Sequence, residues 1–237
     1  MHDREYAISD SSGKLIKGKN NSLIYNLRST FDLENETISF RHNDEEAWYL
    51  FHLEEEKTKI EAYLSDYFGG RIQLHQNKTG RFLDIPDLSG ATVISTSSLK
   101  TVSEWYNTMS LDESRKRFRA TLELEGVQAF WEDQLFSEEG KAIEFSIGDV
   151  KLLGVSPRAR CVVPSRHPET GEVIQGFQKH FAQNRASSLP EWSKLKLYGH
   201  YYHLSVDCHI PDSEIGKWLE IGTHVIIGGE KTFQTIN

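Results

Sequence analysis

Apolar and polar residues alternate along most of this chain. Short β-like runs, several of them alternating, recur at EYAIS (5–9), TISFR (37–41), AWYLFHL (47–53), RIQLHQ (71–76) and ATLELE (120–125), and again at IEFSI (143–147), VKLLGV (150–155), RCVV (160–163), YYHLSV (201–206) and HVIIGG (224–229). Alternation sends successive side chains to opposite faces of a pleated strand, so the alternating runs read as half-buried strands. ISDSSGKLI (8–16) and IGDVKLLGV (147–155) place turn residues between two such runs and predict hairpins. Three stretches carry helical spacing instead. EEEKTKIEAYLSDYFGG (54–70) aligns Ile60, Tyr63 and Leu64 and ends at a glycine stop; STSSLKTVSEWYNTM (95–109) aligns Leu99, Val102 and Tyr106 behind hydroxyl caps; VIQGFQKHFAQNR (173–185) reads as a third helix weakened by Gly176. The pattern predicts a mostly-β protein, barrel-like rather than doubly wound, with a few peripheral helices. The segment 80–92 reads as the loop joining a smaller N-terminal β lobe (1–81) to a larger domain (82–237).

The 237 residues are 38% hydrophobic and 26% charged, ordinary for a globular protein and too apolar for disorder. A net charge of −8 argues against a nucleic-acid-binding surface, so an anion site requires a local basic cluster. Two cysteines, Cys161 and Cys208, make neither a disulfide framework nor a four-cysteine metal site. No apolar run spans a bilayer and the first residues are not a signal peptide, which predicts a cytoplasmic protein without a membrane partner.

Chemistry concentrates around PRARCVVPSRHPETGE (157–172). Arg158 and Arg160 bring positive charge to Cys161, which favours thiolate over thiol, and a thiolate is both a soft metal ligand and a sulfur nucleophile. In a regular strand the two arginines face away from Cys161, so this activation requires an irregular backbone. The alternative is a buried, inert cysteine, which is also the reading for Cys208 between His203 and His209. In the basic run Arg115, Lys116, Arg117 and Arg119, the last is placed to point inward from a strand start and to take an anion. Ser95 and Thr96 open a helix as caps or as phosphate ligands. No P-loop, dinucleotide fingerprint or nucleophile elbow is present.

Arg117-Phe118-Arg119, then Glu132-Asp133, then Ile147-Gly148, then Arg160-Cys161 with Pro168, Thr170 and Gly171, stand in the order and spacing of the MOSC (molybdenum cofactor sulfurase C-terminal) family, which the chain resembles over nearly its whole length. By type it is similar to the mitochondrial amidoxime-reducing component. The resemblance implies a MOSC-like barrel beside a smaller β lobe, a molybdenum cofactor (molybdopterin with Mo), and Cys161 as the catalytic metal ligand. It implies that Arg119, Arg160, Ser95 and Thr96 hold the pterin or its phosphate, that Ala159 presents its backbone to the cofactor, and that Arg4 contacts it from the N-terminal lobe. Thr121 replaces the asparagine of the Arg-Phe-Arg motif, and Ala120 replaces its proline. The family's leading Tyr-Pro-x-Lys-Ser strand would precede Met1. Three functions follow as expectations. They are a reductase of N-hydroxylated or related N- and S-oxide small molecules fed by a separate redox protein, a sulfur carrier using a Cys161 persulfide, and a non-catalytic cofactor-binding protein.

Overall fold

The computed structural model describes residues 4–78, 82, 88 and 91–234. The chain divides into two compact units, Met1–Leu83 with Arg166–Val173, and Asp84–Ser165 with Ile174–Asn237.

In the first unit the described elements run β1 (Tyr6–Ser9), β2 (Leu27–Asp32), β3 (Thr37–His42), β4 (Tyr49–His52), α1 (Lys57–Phe68) and β5 (Gln73–Gln76). β1 pairs antiparallel with β5, and β2, β3 and β4 form an antiparallel sheet in that order. Ile38 and Phe40 of β3 point the same way and meet Ile60 and Leu64 of α1 in one buried cluster with Leu53, Ile72 and Leu74. α1 ends where Gly69 takes φ 69°, a left-handed stop that glycine adopts without a Cβ clash. The expected 8–16 hairpin reduces to a tight turn and one isolated bridge, Ser9–Leu15, while β1 takes β5 as its strand partner. The segment 166–173 folds with this unit. Its turn is closed by Gly171 N donating to the His167 carbonyl (2.9 Å), and Asn43 Nδ2 donates to the Glu169 carbonyl (2.6 Å).

The second unit contains β6 (Ala91–Ser95), α2 (Thr96–Glu104), α3 (Leu111–Phe118), β7 (Leu122–Leu124), β8 (Lys141–Ile147), β9 (Val150–Ala159), α4 (Phe177–Ser187), β10 (His203–His209) and β11 (Val225–Thr232). They build a six-stranded sheet in the order β11-β8-β9-β10-β6-β7, antiparallel except for the β6–β7 pair. The mostly-β class with a few helices holds, although no closed barrel is formed among the described residues. One side of the sheet buries Val93, Leu135, Phe145, Leu152, Val206 and Cys208, and a second cluster joins Ile94, Leu99, Val102, Phe118, Phe177 and Phe181. No helix among the described residues is long and apolar enough to cross a membrane.

Four sequence expectations change here. RCVV is not a strand: β9 ends at Ala159 and the chain passes Cys161 into a 3-10 turn at Val163–Ser165. The 80–92 loop gives way to β6 from Ala91, and of residues 80–90 only Phe82 and Leu88 are described. The basic run is the last turn of α3, capped by Ser110 and opened by Asp112 and Glu113, so opposite charges sit at the two ends that the helix dipole favours. Gly176 does not weaken a helix from within; at φ 72° it is the N-cap of α4, which starts after it.

Candidate functional site

Cys161 sits two residues past the end of β9 and is exposed, whereas Cys208 is fully buried and burial pushes its thiol up. The irregular backbone that activation required is therefore present. Two reciprocal hydrogen bonds fix this loop on the C-terminus of α3. Arg160 Nη2 donates to the Phe118 carbonyl at 2.8 Å, and Arg117 Nη1 donates back to the Pro164 carbonyl at 2.8 Å. Tyr202 adds a second brace: its hydroxyl donates to the Cys161 carbonyl (3.1 Å), and its carbonyl accepts from Arg160 N (3.0 Å). The backbone on both sides of Cys161 is held while the residue itself is exposed.

The arginines near Cys161 differ sharply in what they meet. Arg158 donates to Asp207 Oδ1 at 2.5 Å, and Arg117 donates to Glu113 Oε1 at 2.8 Å. Arg160 lies over the Phe118 ring at 5.4 Å, and its Nη1 is buried without a hydrogen-bond partner. Burial holds this guanidinium down at about 10, and the like charge of Arg158 acts the same way. A buried donor of this kind is satisfied by an anion, for which the guanidinium fork is suited.

The line Val93–Val206–Pro157 across the sheet places Ser95 and Ala159 at one end, on either side of the start of β10. Two strand spacings separate them, about 10 Å. Ala159 is exposed there, opposite His203. Ser95 is fully buried and caps α2, accepting from Ser98 N at 3.0 Å and bonding the Ser98 hydroxyl at 2.7 Å. Thr96 Oγ1 donates to Glu123 at 2.7 Å. Capping thus accounts for Ser95, and Thr96 remains at the surface. Arg119 does not point inward from a strand; it is the exposed left-handed C-cap of α3 at φ 51°, and the buried arginine of that run is Arg117. Thr121 bonds Thr92, near the other end of β6 from Ser95, so it is not brought to Cys161. Arg4 belongs to the first unit, where it has φ 55° and its carbonyl accepts from Phe82 N at 2.8 Å.

Tyr202 and Arg117 brace the Cys161 loop and Glu132 lies against the Ser95–Ser98 cap of α2, and none of them had stood out as a site residue. Tyr202 acts over forty residues of separation, which no local pattern reveals. Asp133 pairs with buried Arg185 of α4, which covers the Phe130 ring at 3.8 Å. Its neighbour Glu132 is 1% exposed. Burial pushes Glu132 up to about 7, against the opposing pull of the Ser98 and Ser95 hydroxyls. The folded state therefore prefers the protonated acid, so stability falls as pH rises from the unfolded value, about 4.3, to the folded one and is flat above it. Glu132→Gln is expected to remove about 3 kcal/mol of the stability lost between pH 5 and pH 8. Urea unfolding at the two pH values checks this, and an unchanged difference would contradict it. His203 is pushed down to about 4 by burial and stacks on His200 at 4.0 Å, so it is neutral rather than a charged partner for Cys208.

Among the described residues no three His, Cys, Asp or Glu side chains are grouped to hold a metal ion. Any metal at Cys161 must arrive with most of its own ligands, and the orphaned Arg160 Nη1 beside an exposed thiol fits an anionic, sulfur-ligated group. No curated protein sequence matches the chain. The family model for the MOSC domain matches residues 87–210, from before β6 to just past β10, and includes the α3, Glu132-Asp133 and Arg160-Cys161 segments. That match covers more than half of the 237 residues, and the chain belongs to the MOSC domain family, which is associated with the molybdenum cofactor or with sulfurase-like chemistry.

Proposed function

We propose that this protein binds a molybdenum cofactor through Cys161 and reduces N-hydroxylated small molecules, or related N- and S-oxides. The observation that carries the reading is the exposed Cys161, held by the Arg160–Phe118 and Arg117–Pro164 bonds beside a buried guanidinium nitrogen with no partner. Cys161 would hold the metal through its thiolate, and Arg160 Nη1 would donate to an anionic oxygen of the pterin or its phosphate. Bound there, the cofactor would supply the two-electron chemistry and the affinity for the substrate oxygen.

The chain's own residues position and hold. The Tyr202 and Arg160 bonds fix the backbone of Cys161, which limits how far its sulfur can move. The overall change converts N–OH, two electrons and two protons to N–H and water. The electrons come from a separate redox protein. The exposure of Cys161 equally suits a sulfur carrier, in which the same thiolate would bear a persulfide. Protein purified from a cofactor-competent host, supplied with a chemically reduced dye, should reduce an N-hydroxylated amidine, and Cys161→Ala should not. Equal turnover by the variant would end this reading. Mass spectrometry separates the alternative: a transferable extra sulfur on Cys161, without molybdenum, favours the carrier.

A further inference from the structure

β11 is the end strand of the six-stranded sheet, and among the described residues it pairs with β8 alone. Its outer edge is a row of backbone donors and acceptors of the kind that proteins usually cover or blunt. The segment before it is unusually apolar for a surface: Ile215 is 79% exposed, Trp218 86% and Ile221 108%. Ile226 and Ile227 of β11 and Leu219 are also exposed.

The segment is tied to one feature, the β8–β9 turn. Lys217 Nζ donates to the Asp149 carbonyl at 3.0 Å, and Glu214 Oε2 accepts from Lys151 N at 2.8 Å, tying the segment to the turn from one side. On the other side Gly148 N donates to the His224 carbonyl at 3.3 Å, and Val225 pairs with Ile147. Ile215, Trp218, Leu219, Ile221 and Ile226 together leave on the order of 600 Å² of apolar surface in water, at the upper end of the ~300–600 Å² of the largest patch on an ordinary monomer; Ile227, next along the strand, faces the other side of the sheet. The exposed area approaches the ~800 Å² each partner contributes to a stable interface.

Charge selects the occupant. From Ile215 to Thr232, Lys217 and Lys231 offset Glu220 and Glu230, so the tract is neutral in a chain of net charge −8. It is a face on which two copies of an acidic protein can meet without like-charge repulsion, and it lacks the basic excess that an anionic membrane attracts. An antiparallel edge strand is also its own complement about a two-fold axis. We propose that this tract is a homodimer interface, in which β11 of one copy pairs with β11 of a second and Trp218 and Ile221 are buried beside the seam.

Sedimentation equilibrium of the full chain, from about 1 to about 200 µM, tests this directly. The expected mass is that of two chains at the upper concentrations. Trp218→Asp and Ile226→Lys are both solvent-facing, so each is expected to keep the wild-type circular dichroism spectrum and melting temperature while weakening dimerisation at least tenfold. Protection of β11 amides from hydrogen exchange should rise with concentration. A single-chain mass across the whole range would overturn the proposal, as would a dimer that both variants leave intact.

Discussion

Gly154→Ala is expected to destabilise the second unit strongly. Gly154 lies in β9 where the chain crosses the 3-10 turn Trp131–Leu135, and a Cβ there would stand 1.8 Å from the Leu135 carbonyl oxygen. The obstacle is backbone, so no side-chain rotation relieves it. The 3-10 turn would have to lift away, taking with it buried Leu135, Glu132 and the Asp133–Arg185 pair. Overpacking of this kind costs about 3 kcal/mol or more, a large share of the roughly 5–15 kcal/mol by which domains are stable. A fall in Tm of roughly 10 °C is expected by calorimetry. Gly229→Ala, where an added Cβ meets nothing within 4 Å, is the control and should melt like wild type. Equal melting of the two variants would show that the turn does not rest on β9 as described.

Arg160→Met should separate folding from cofactor binding. Methionine keeps much of the stem over Phe118 but removes the donor to its carbonyl and the buried Nη1. The loop retains the Arg117–Pro164 bond and the Tyr202 hydroxyl on Cys161, so the fold should survive with a loss of about 1–2 kcal/mol. Hydrogen bonds to charged groups contribute about 1.5–3 kcal/mol, so cofactor affinity should fall by roughly 10- to 100-fold. Cofactor retained per chain after gel filtration measures this. Wild-type retention would mean that Arg160 does not meet the anion.

The strands facing a core on one side were legible in the sequence because alternation reports burial. TISFR, IEFSI and VKLLGV became β3, β8 and the first part of β9. β2 escaped notice because most of it is exposed and its pattern carries no apolar face, and β6 because all five of its residues are buried and it does not alternate. α3 was hidden by its charge. A helix that buries only Ser114, Arg117 and Phe118 leaves no apolar stripe to read. At the candidate site, the motif singled out Cys161 and Arg160 but said nothing of their geometry. Arg119 and Arg117 are two residues apart, and only the left-handed turn at Arg119 decides which is buried. The brace from Tyr202 to Cys161 is a contact between distant segments, so no spacing rule could have announced it.

The central claim is that Cys161 holds a molybdenum cofactor. Elemental and pterin analysis of the chain purified from a cofactor-competent host, beside Cys161→Ala prepared identically, tests it most directly. Cys161 is exposed, so the variant should fold and melt like wild type. The account predicts close to one molybdenum and one pterin per wild-type chain, and loss of the metal in the variant. A wild-type chain free of both metal and pterin, or a variant that retains both, would contradict it.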